Sequence, residues 1–181
     1  LYPGAKKRAV TFSYDDGVVQ DIRLIELLNK YGLKCTFNIN SGFLGNPGRL
    51  IRKGMSICHY KVSPQDVKSV YETHEVAAHT LTHPYLPHIE DDNEIIYQVE
   101  EDRKRLEELV GYEICGMAYP GGGENNNDRV ADIIKNNTPL KYCRTINSVH
   151  NFDLQDNLHR FNPSVYHLDF DKMMTLGKQF I

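Results

Sequence analysis

The chain contains no tryptophan, and its four cysteines, Cys35, Cys58, Cys115 and Cys143, include no pair at C-x-x-C spacing. Scattered thiols of this kind offer no disulfide framework, and those lying in or beside apolar stretches behave as small hydrophobes. Positive charge is also in short supply. Twenty-one Lys and Arg stand against 24 Asp and Glu, a net charge of −3, which removes the electrostatic case for nucleic acid or an anionic membrane as partner. No apolar run approaches the length of a membrane span, and no charged-then-apolar leader opens the chain. The compartment stays open between the cytoplasm and, if a leader was trimmed, the cell exterior. There is no internal repeat and no low-complexity linker, and 181 residues suit one domain, 1–181, with its own core.

What is present is an alternation of short β-rich runs with longer helical ones. Ala9 to Tyr14 is apolar and β-branched, the pattern of a buried strand. "VVQDIRLIELLNKYG" carries Ile22, Ile25 and Leu28 at helical spacing and closes on Gly32. "LKCTFNI" reads as the next strand, and Asn40 to about Val62 as a Gly-rich irregular stretch. Ser63 and Pro64 sit where an N-cap and a first helical residue are favoured. "HEVAAH", "EICGMAY" and "KYCRTI" then read as strands. They are separated by the long helix "DDNEIIYQVEEDRKRLEELVG", the loop "PGGGENNN" and the helix "DRVADIIKNN", and a last helix spans about Phe170 to Phe180. Repeated β-α-β-α order predicts a parallel sheet with helices packed outside it, either doubly wound or barrel-like. In both, sites gather at the carboxyl ends of the strands.

The chemically capable residues fall at those ends. The first strand runs into Asp15-Asp16-Gly17, the third into His79 and His83 of "HTLTH", the fourth into "AYPGGG", and the fifth carries Arg144. Two adjacent carboxylates repel unless one is protonated or a cation intervenes. Because neighbouring strand residues point to opposite faces, one can bind a cation while the other takes a proton from its water. Pro84 disfavours a helical His83, and no Glu follows His79, so the histidines belong to a turn rather than an H-E-x-x-H helix. Two imidazoles and a carboxylate leave open positions on a metal, as catalytic zinc sites do, and would also suit iron, cobalt or nickel. The plain alternatives are a solvated Asp-Asp-Gly turn, two loop histidines and a surface arginine. The glycines 121–123 lack the Lys-Ser/Thr of a phosphate loop, His74 reads as a support for strand ends, and His88 as a solvated loop residue.

These motifs resemble the metal-dependent polysaccharide deacetylases with a NodB-homology domain, carbohydrate esterase family four. "TFSYDDG" is close to the family's T-F-D-D-G, "HTLTH" matches H-[ST]-x-x-H within the similar context "HEVAAHTLTH", and "AYPGG" resembles its proline-aromatic loop. The likeness covers most of the chain in the right order. It implies an α/β fold, a distorted (β/α) barrel of fewer than eight strands. It implies Asp16, His79 and His83 as ligands of one divalent metal, zinc first, with cobalt, nickel or iron as alternatives. Asp15 becomes the general base, and the backbone N–H of Tyr119 an oxyanion donor.

Two departures stand out. The arginine that often orients the base is replaced in the region of Met117 and Ala118, and Arg144 is the candidate substitute. The family's L-x-H acid is represented by His167 in "SVYHLD", with His159 as a second candidate, and the chain ends at "GKQFI" where many relatives continue into a further strand. The expected activity is hydrolysis of N- or O-acetyl groups on a carbohydrate. The alternatives are a non-catalytic sugar- or metal-binding module and hydrolysis of a small non-sugar amide. A 2-His-1-carboxylate oxygenase fits less well, because there the carboxylate does not come first on an α/β pattern. The oligomeric state is not readable from the sequence.

Overall fold

The computed structural model describes residues 3–180. Its elements, in chain order, are β1 (Phe12–Asp15), α1 (Gln20–Lys30), β2 (Cys35–Ile39), β3 (Arg49–Arg52), β4 (Met55–Cys58), α2 (Val67–Val70), β5 (Glu75–Ala78), α3 (Asp92–Val110), β6 (Gly116–Ala118), α4 (Asp128–Asn137), β7 (Tyr142–Arg144) and α5 (Phe170–Phe180). Five strands form one parallel sheet in the order β1-β2-β5-β6-β7, and β3 and β4 pair separately as an antiparallel hairpin. The sheet curls into a half-barrel.

The two-residue period of the strands sorts side chains onto two faces. Phe12, Tyr14, Cys35, Phe37, Ile39, Val76, Ala78, Met117, Tyr119 and Cys143 alternate onto the convex face and join the apolar core beneath the helices. Ser13, Asp15, Thr36, Asn38, Ala77, Ala118 and Arg144 occupy the intervening positions and line the concave face. The polar residues of the strands are thus collected on one side by register alone. Helix α3 seals the convex side with Ile95, Val99 and Leu106, all fully buried at i, i+4 and i+11. Burial of each is worth about 1.5–3 kcal/mol. It is capped by Asp91, whose side chain accepts from the Asn93 N–H, and ended by Gly111 in the left-handed region at φ 83°. In α4, Asn127 accepts from the Val130 N–H and Val130, Ile133 and Ile134 are buried.

Three expectations need correction. The first strand begins at Phe12, and residues 9–11 are exposed, because β1 is an edge strand with a neighbour on one side only. The Asn40–Val62 stretch is ordered into the β3–β4 hairpin, turned by Lys53 and Gly54 with φ of 48° and 76°. Positive φ at both central residues is the requirement of a type I′ turn. Ser63 makes no side-chain cap bond, and the chain enters α2 through a 3₁₀ turn at Pro64–Asp66. Among the described residues all four cysteines are free, Cys35 and Cys143 buried in the core. No helix there is long and apolar enough to cross a membrane.

Asp21, in the first turn of α1, is buried and accepts from the Tyr71 hydroxyl at 2.8 Å and the Val18 N–H at 3.2 Å, both at Oδ2. Desolvation outweighs those two bonds and pushes its carboxyl up to about 7. The folded state therefore holds a proton that the unfolded chain has released, and stability falls as pH rises from about 4 to about 7. Asp21→Asn can accept both bonds at one oxygen without titrating. Thermal unfolding at pH 5 and pH 8 should show a smaller loss of Tm for Asp21→Asn than for the parent; equal losses would refute the assignment.

Candidate metal centre

The carboxyl ends of the five sheet strands converge on one cluster. One ligand atom each from Asp16, His79 and His83 lie within 4.8 Å of one another. His79 follows β5, is fully desolvated, and its Nδ1 faces the Ala118 carbonyl at 2.8 Å. That contact makes Nδ1 the donor and leaves the Nε2 lone pair for a cation. Burial lowers the His79 pKa, which favours the neutral, ligating form. The His83 ring lies edge-on to it with centroids 4.9 Å apart, and His83 Nε2 is 3.8 Å from Asp16 Oδ1. A carboxylate oxygen and two imidazole nitrogens at this spacing fit a divalent ion of the zinc type.

The turns that bring these groups together are wound unusually. Asp16, Thr80 and His83 have φ of 83°, 64° and 58°, a region that non-glycine residues rarely occupy and that clusters at functional sites. Gly17 shares the left-handed conformation at φ 59°, and a Cβ there would meet Ile39 Cγ2 at 2.9 Å. Buried hydrogen bonds hold the second turn. Asp102, fully buried on α3, accepts from the His79 N–H at 2.9 Å and the Ser41 N–H at 2.6 Å. Asn40 donates to the Thr80 carbonyl at 3.0 Å. Desolvation pushes the Asp102 carboxyl up to about 7.

Asp15 points into the concave face. Its Oδ1 accepts from Asn38 Nδ2 at 2.9 Å and from Arg144 Nη2. Burial alone would raise its pKa, but attraction to the His79 ring whenever that ring is protonated, attraction to the Arg144 guanidinium, and the bonds from Arg144 and Asn38 hold the carboxyl below its ordinary value. The structure therefore brings Arg144 to the predicted base. It does not bring His167 to the cluster. That ring packs against Tyr14, centroids 5.4 Å apart, and against Tyr166 at 4.8 Å, and Tyr14 alternates with Asp15 onto the opposite face. His159 is also elsewhere, with Nε2 3.0 Å from the Leu140 carbonyl before β7. Tyr119 needs a correction too. Its N–H donates to the Arg144 carbonyl at 3.0 Å as part of the sheet, so it is committed and not free for an oxyanion. Pro120 has no N–H, and the first amide past the strand end is that of Gly121. His74 supports a neighbouring strand as expected, with Nδ1 accepting from the Cys35 N–H at 3.3 Å. His88 is exposed and stacked on Tyr85.

Two residues of the centre escaped the sequence reading. Directly after β4, His59 Nε2 lies 3.4 Å from Asp16 Oδ2, and Lys61 Nζ lies 3.3 Å from Asp16 Oδ1 and 2.8 Å from the Asp16 carbonyl. Their signal was the pair of short apolar-containing runs "RLIR" and "MSIC" flanking Lys53-Gly54, a hairpin pattern weaker than Asn-Gly.

The sequence model for polysaccharide deacetylases matches residues 3–138. The chain belongs to the polysaccharide deacetylase family. Comparison with curated proteins gives no sequence match. Among solved structures, the chain is similar to the Streptococcus pyogenes deacetylase PplD in complex with acetate, with a TM-score of 0.69 and 20% identity. The match covers 88% of this chain and 65% of that one, so the chain spans just under two thirds of PplD. IcaB from Ammonifex degensii matches with a TM-score of 0.70 and 15% identity over 92% of this chain and 71% of its own. A CE4 family pseudoenzyme from Bacillus anthracis matches with a TM-score of 0.59 and 16% identity, over 97% of this chain and 52% of its own. The fold is the distorted half-barrel of the deacetylases.

Lys61 is a fixed cation on the carboxylate that a metal would share, and like charges a few ångströms apart cost about 1–4 kcal/mol near a protein surface. Lys61→Gln keeps a donor for the Asp16 carbonyl while removing the charge. Zinc should bind Lys61→Gln about tenfold more tightly or better, measured by competition with a chromogenic chelator. Unchanged or weaker binding would show that the ammonium does not oppose the metal.

Proposed function

We propose that this chain is a metal-dependent deacetylase acting on N- or O-acetylated carbohydrate. The observation that carries the reading is the juxtaposition, at the carboxyl end of the family's sheet, of a two-His, one-Asp donor set with a second carboxylate held as an anion. Asp16, His79 and His83 would hold the ion, zinc first, with cobalt, nickel or iron suited to the same donors. When bound, the ion supplies a Lewis acid that polarises the acetyl carbonyl and acidifies water.

The chain's own residues do the rest. Arg144 and Asn38 both occupy Asp15 Oδ1, which leaves Oδ2 as the oxygen that receives a proton from the attacking water. A carboxyl held below its ordinary value is anionic throughout the neutral range, ready to act as the base. As water oxygen bonds to the acetyl carbon, the C–N or C–O bond breaks, acetate leaves, and the proton on Asp15 passes to the sugar amine or alkoxide. His167 has no part in this scheme, because its ring lies on the other flank of β1. The Gly121 amide is the donor nearest the strand end for the developing oxyanion. Gly121 has φ 82°, and a Cβ there would stand 2.8 Å from the Tyr85 ring, so only glycine keeps that turn.

A non-catalytic reading has one observation in its favour, the absence of His167 from the cluster. Acetate release from acetylated chitooligosaccharide and acetylated xylan decides between them, on protein stripped and reloaded with zinc or cobalt. Asp15→Asn should retain stoichiometric metal and lose about a thousandfold or more in kcat. Asp16→Asn should lose metal and activity together. Stoichiometric metal with no acetate released from either substrate would favour the binding module.

A further inference from the structure

The β3–β4 hairpin grows directly out of the candidate centre and carries cations that no carboxylate among the described residues neutralises. Between Glu26 and Asp66 there is no acidic residue, although the chain as a whole is acidic, while Lys30, Lys34, Arg49, Arg52, Lys53 and Lys61 all fall in that interval. Every arginine beyond residue 100 pairs with a carboxylate: Arg103 with Glu100 and Glu107, Arg105 with Glu101, Arg129 with Asp92, Arg144 with Asp15, and Arg160 with Asp128. On the hairpin the pattern is different. Arg49 donates to Ser56 Oγ at 3.1 Å and Arg52 to the Tyr166 hydroxyl at 3.5 Å, both neutral groups. Among the described residues neither they nor Lys53 has a carboxylate within ion-pair distance.

The root of the hairpin is pinned to the site. The Val19 N–H donates to the Tyr60 carbonyl at 2.9 Å and the Val62 N–H to the Gly17 carbonyl at 2.8 Å, so the segment carrying His59 and Lys61 is stitched to the Asp15-Asp16-Gly17 turn. Four residues of strand put the tip about 13 Å from that root. Arg52 reaches the Tyr166 hydroxyl beside His167, so the tip stands on the β1 side of the site, out of reach of an acetyl group at Asp15 and open only to units flanking the acetylated sugar. The register puts Arg49 and exposed Ile51 on one face and Arg52 with exposed Leu50, Met55 and Ile57 on the other, so each face pairs a cation for an anion with apolar contact for a sugar ring.

We propose that the hairpin is the specificity arm of the site, and that it selects acetylated glycans bearing carboxylate or phosphate on the units beside the acetylated sugar. The inference rests on the deacetylase reading and narrows its substrate class. Unpartnered cations keep their charge available, and complementary charge at a short distance raises both encounter rate and selectivity.

The test measures affinity and acetate release separately on the full chain. Three oligosaccharides of equal length serve as probes: N-acetylchitooligosaccharide, an oligomer alternating N-acetylglucosamine with a uronate, and a phosphodiester-linked N-acetylhexosamine oligomer. At about 50 mM salt at least one anionic probe should bind about tenfold more tightly than the neutral one, and at about 0.5 M salt the advantage should largely vanish. Which anionic probe wins separates carboxylate from phosphate. In the triple variant Arg49→Ser, Arg52→Ser, Lys53→Ser the ratio should fall towards one, Arg52→Gln alone should lower it part of the way, and Lys135→Ser on α4 should leave it standing. Equal affinity for all three probes, no binding of the anionic ones, or an advantage that survives the triple variant would overturn the proposal. Acetate release reports on the chemistry independently. Release from the neutral probe without any anionic preference removes this inference alone, and a charge preference without release from any probe removes the deacetylase reading instead.

Discussion

The bond between Arg144 and Asp15 joins the last strand of the sheet to the first. In the order β1-β2-β5-β6-β7 these two strands share no ladder, and a flat sheet would hold them at its opposite margins. Curling brings the ends of β7 and β1 close enough for a guanidinium to reach a carboxylate across the concave side. That one contact depends on the curvature and helps to hold it. It also decides which oxygen of Asp15 is left for chemistry, so the shape of the half-barrel and the state of the base are set by the same pair of side chains.

The second carboxylate has a separate set of counter-charges. Asp16 faces Lys61, His59 and His83, all from loops on the other side of the turn. Adjacent anions are tolerable here because the backbone turns between them. Each then meets its own cation, Arg144 for Asp15 and Lys61 for Asp16, which offsets the repulsion between them. Around both lies a layer of buried polar groups (Asn38, Asn40, Asp102) whose bonds go to the backbone of the site or to Asp15. The convex apolar core carries the stability, and this layer carries the orientation.

Much of that was legible from residue types and spacing. The β-α-β-α order, the parallel sheet and the gathering of Asp15, Asp16, His79, His83 and Arg144 at strand ends follow from periodicity and from the rule that sites lie at carboxyl ends. What could not be read has a common cause. His59 and Lys61 arrive by way of a hairpin whose Lys-Gly turn is a weak signal, and only its anchorage to the Gly17 turn delivers them. Tyr119 sits at the right place in the chain, yet one more ladder bond than expected consumes its N–H. His167 sits in a suitable stretch, but the side of β1 on which its ring settles depends on tertiary packing after β7, where no regular pattern guides the reading. Position along a chain is readable where a repeating pattern runs; the direction of a single side chain at the end of a loop is not.

The left-handed backbone at Asp16, Thr80 and His83 has an evolutionary consequence. At such positions glycine is indifferent, asparagine and aspartate are tolerated, and longer or branched side chains are resisted. Drift towards asparagine or glycine at position 16 would keep the turn while discarding the ligand. Drift towards glutamate or cysteine, which could still bind a metal, would strain it. Loss of chemistry with retention of shape is thus a short path for this scaffold, whereas a longer or branched donor is resisted by the main chain itself. Handedness limits which donor atoms can replace the present ones and does nothing to keep a donor there.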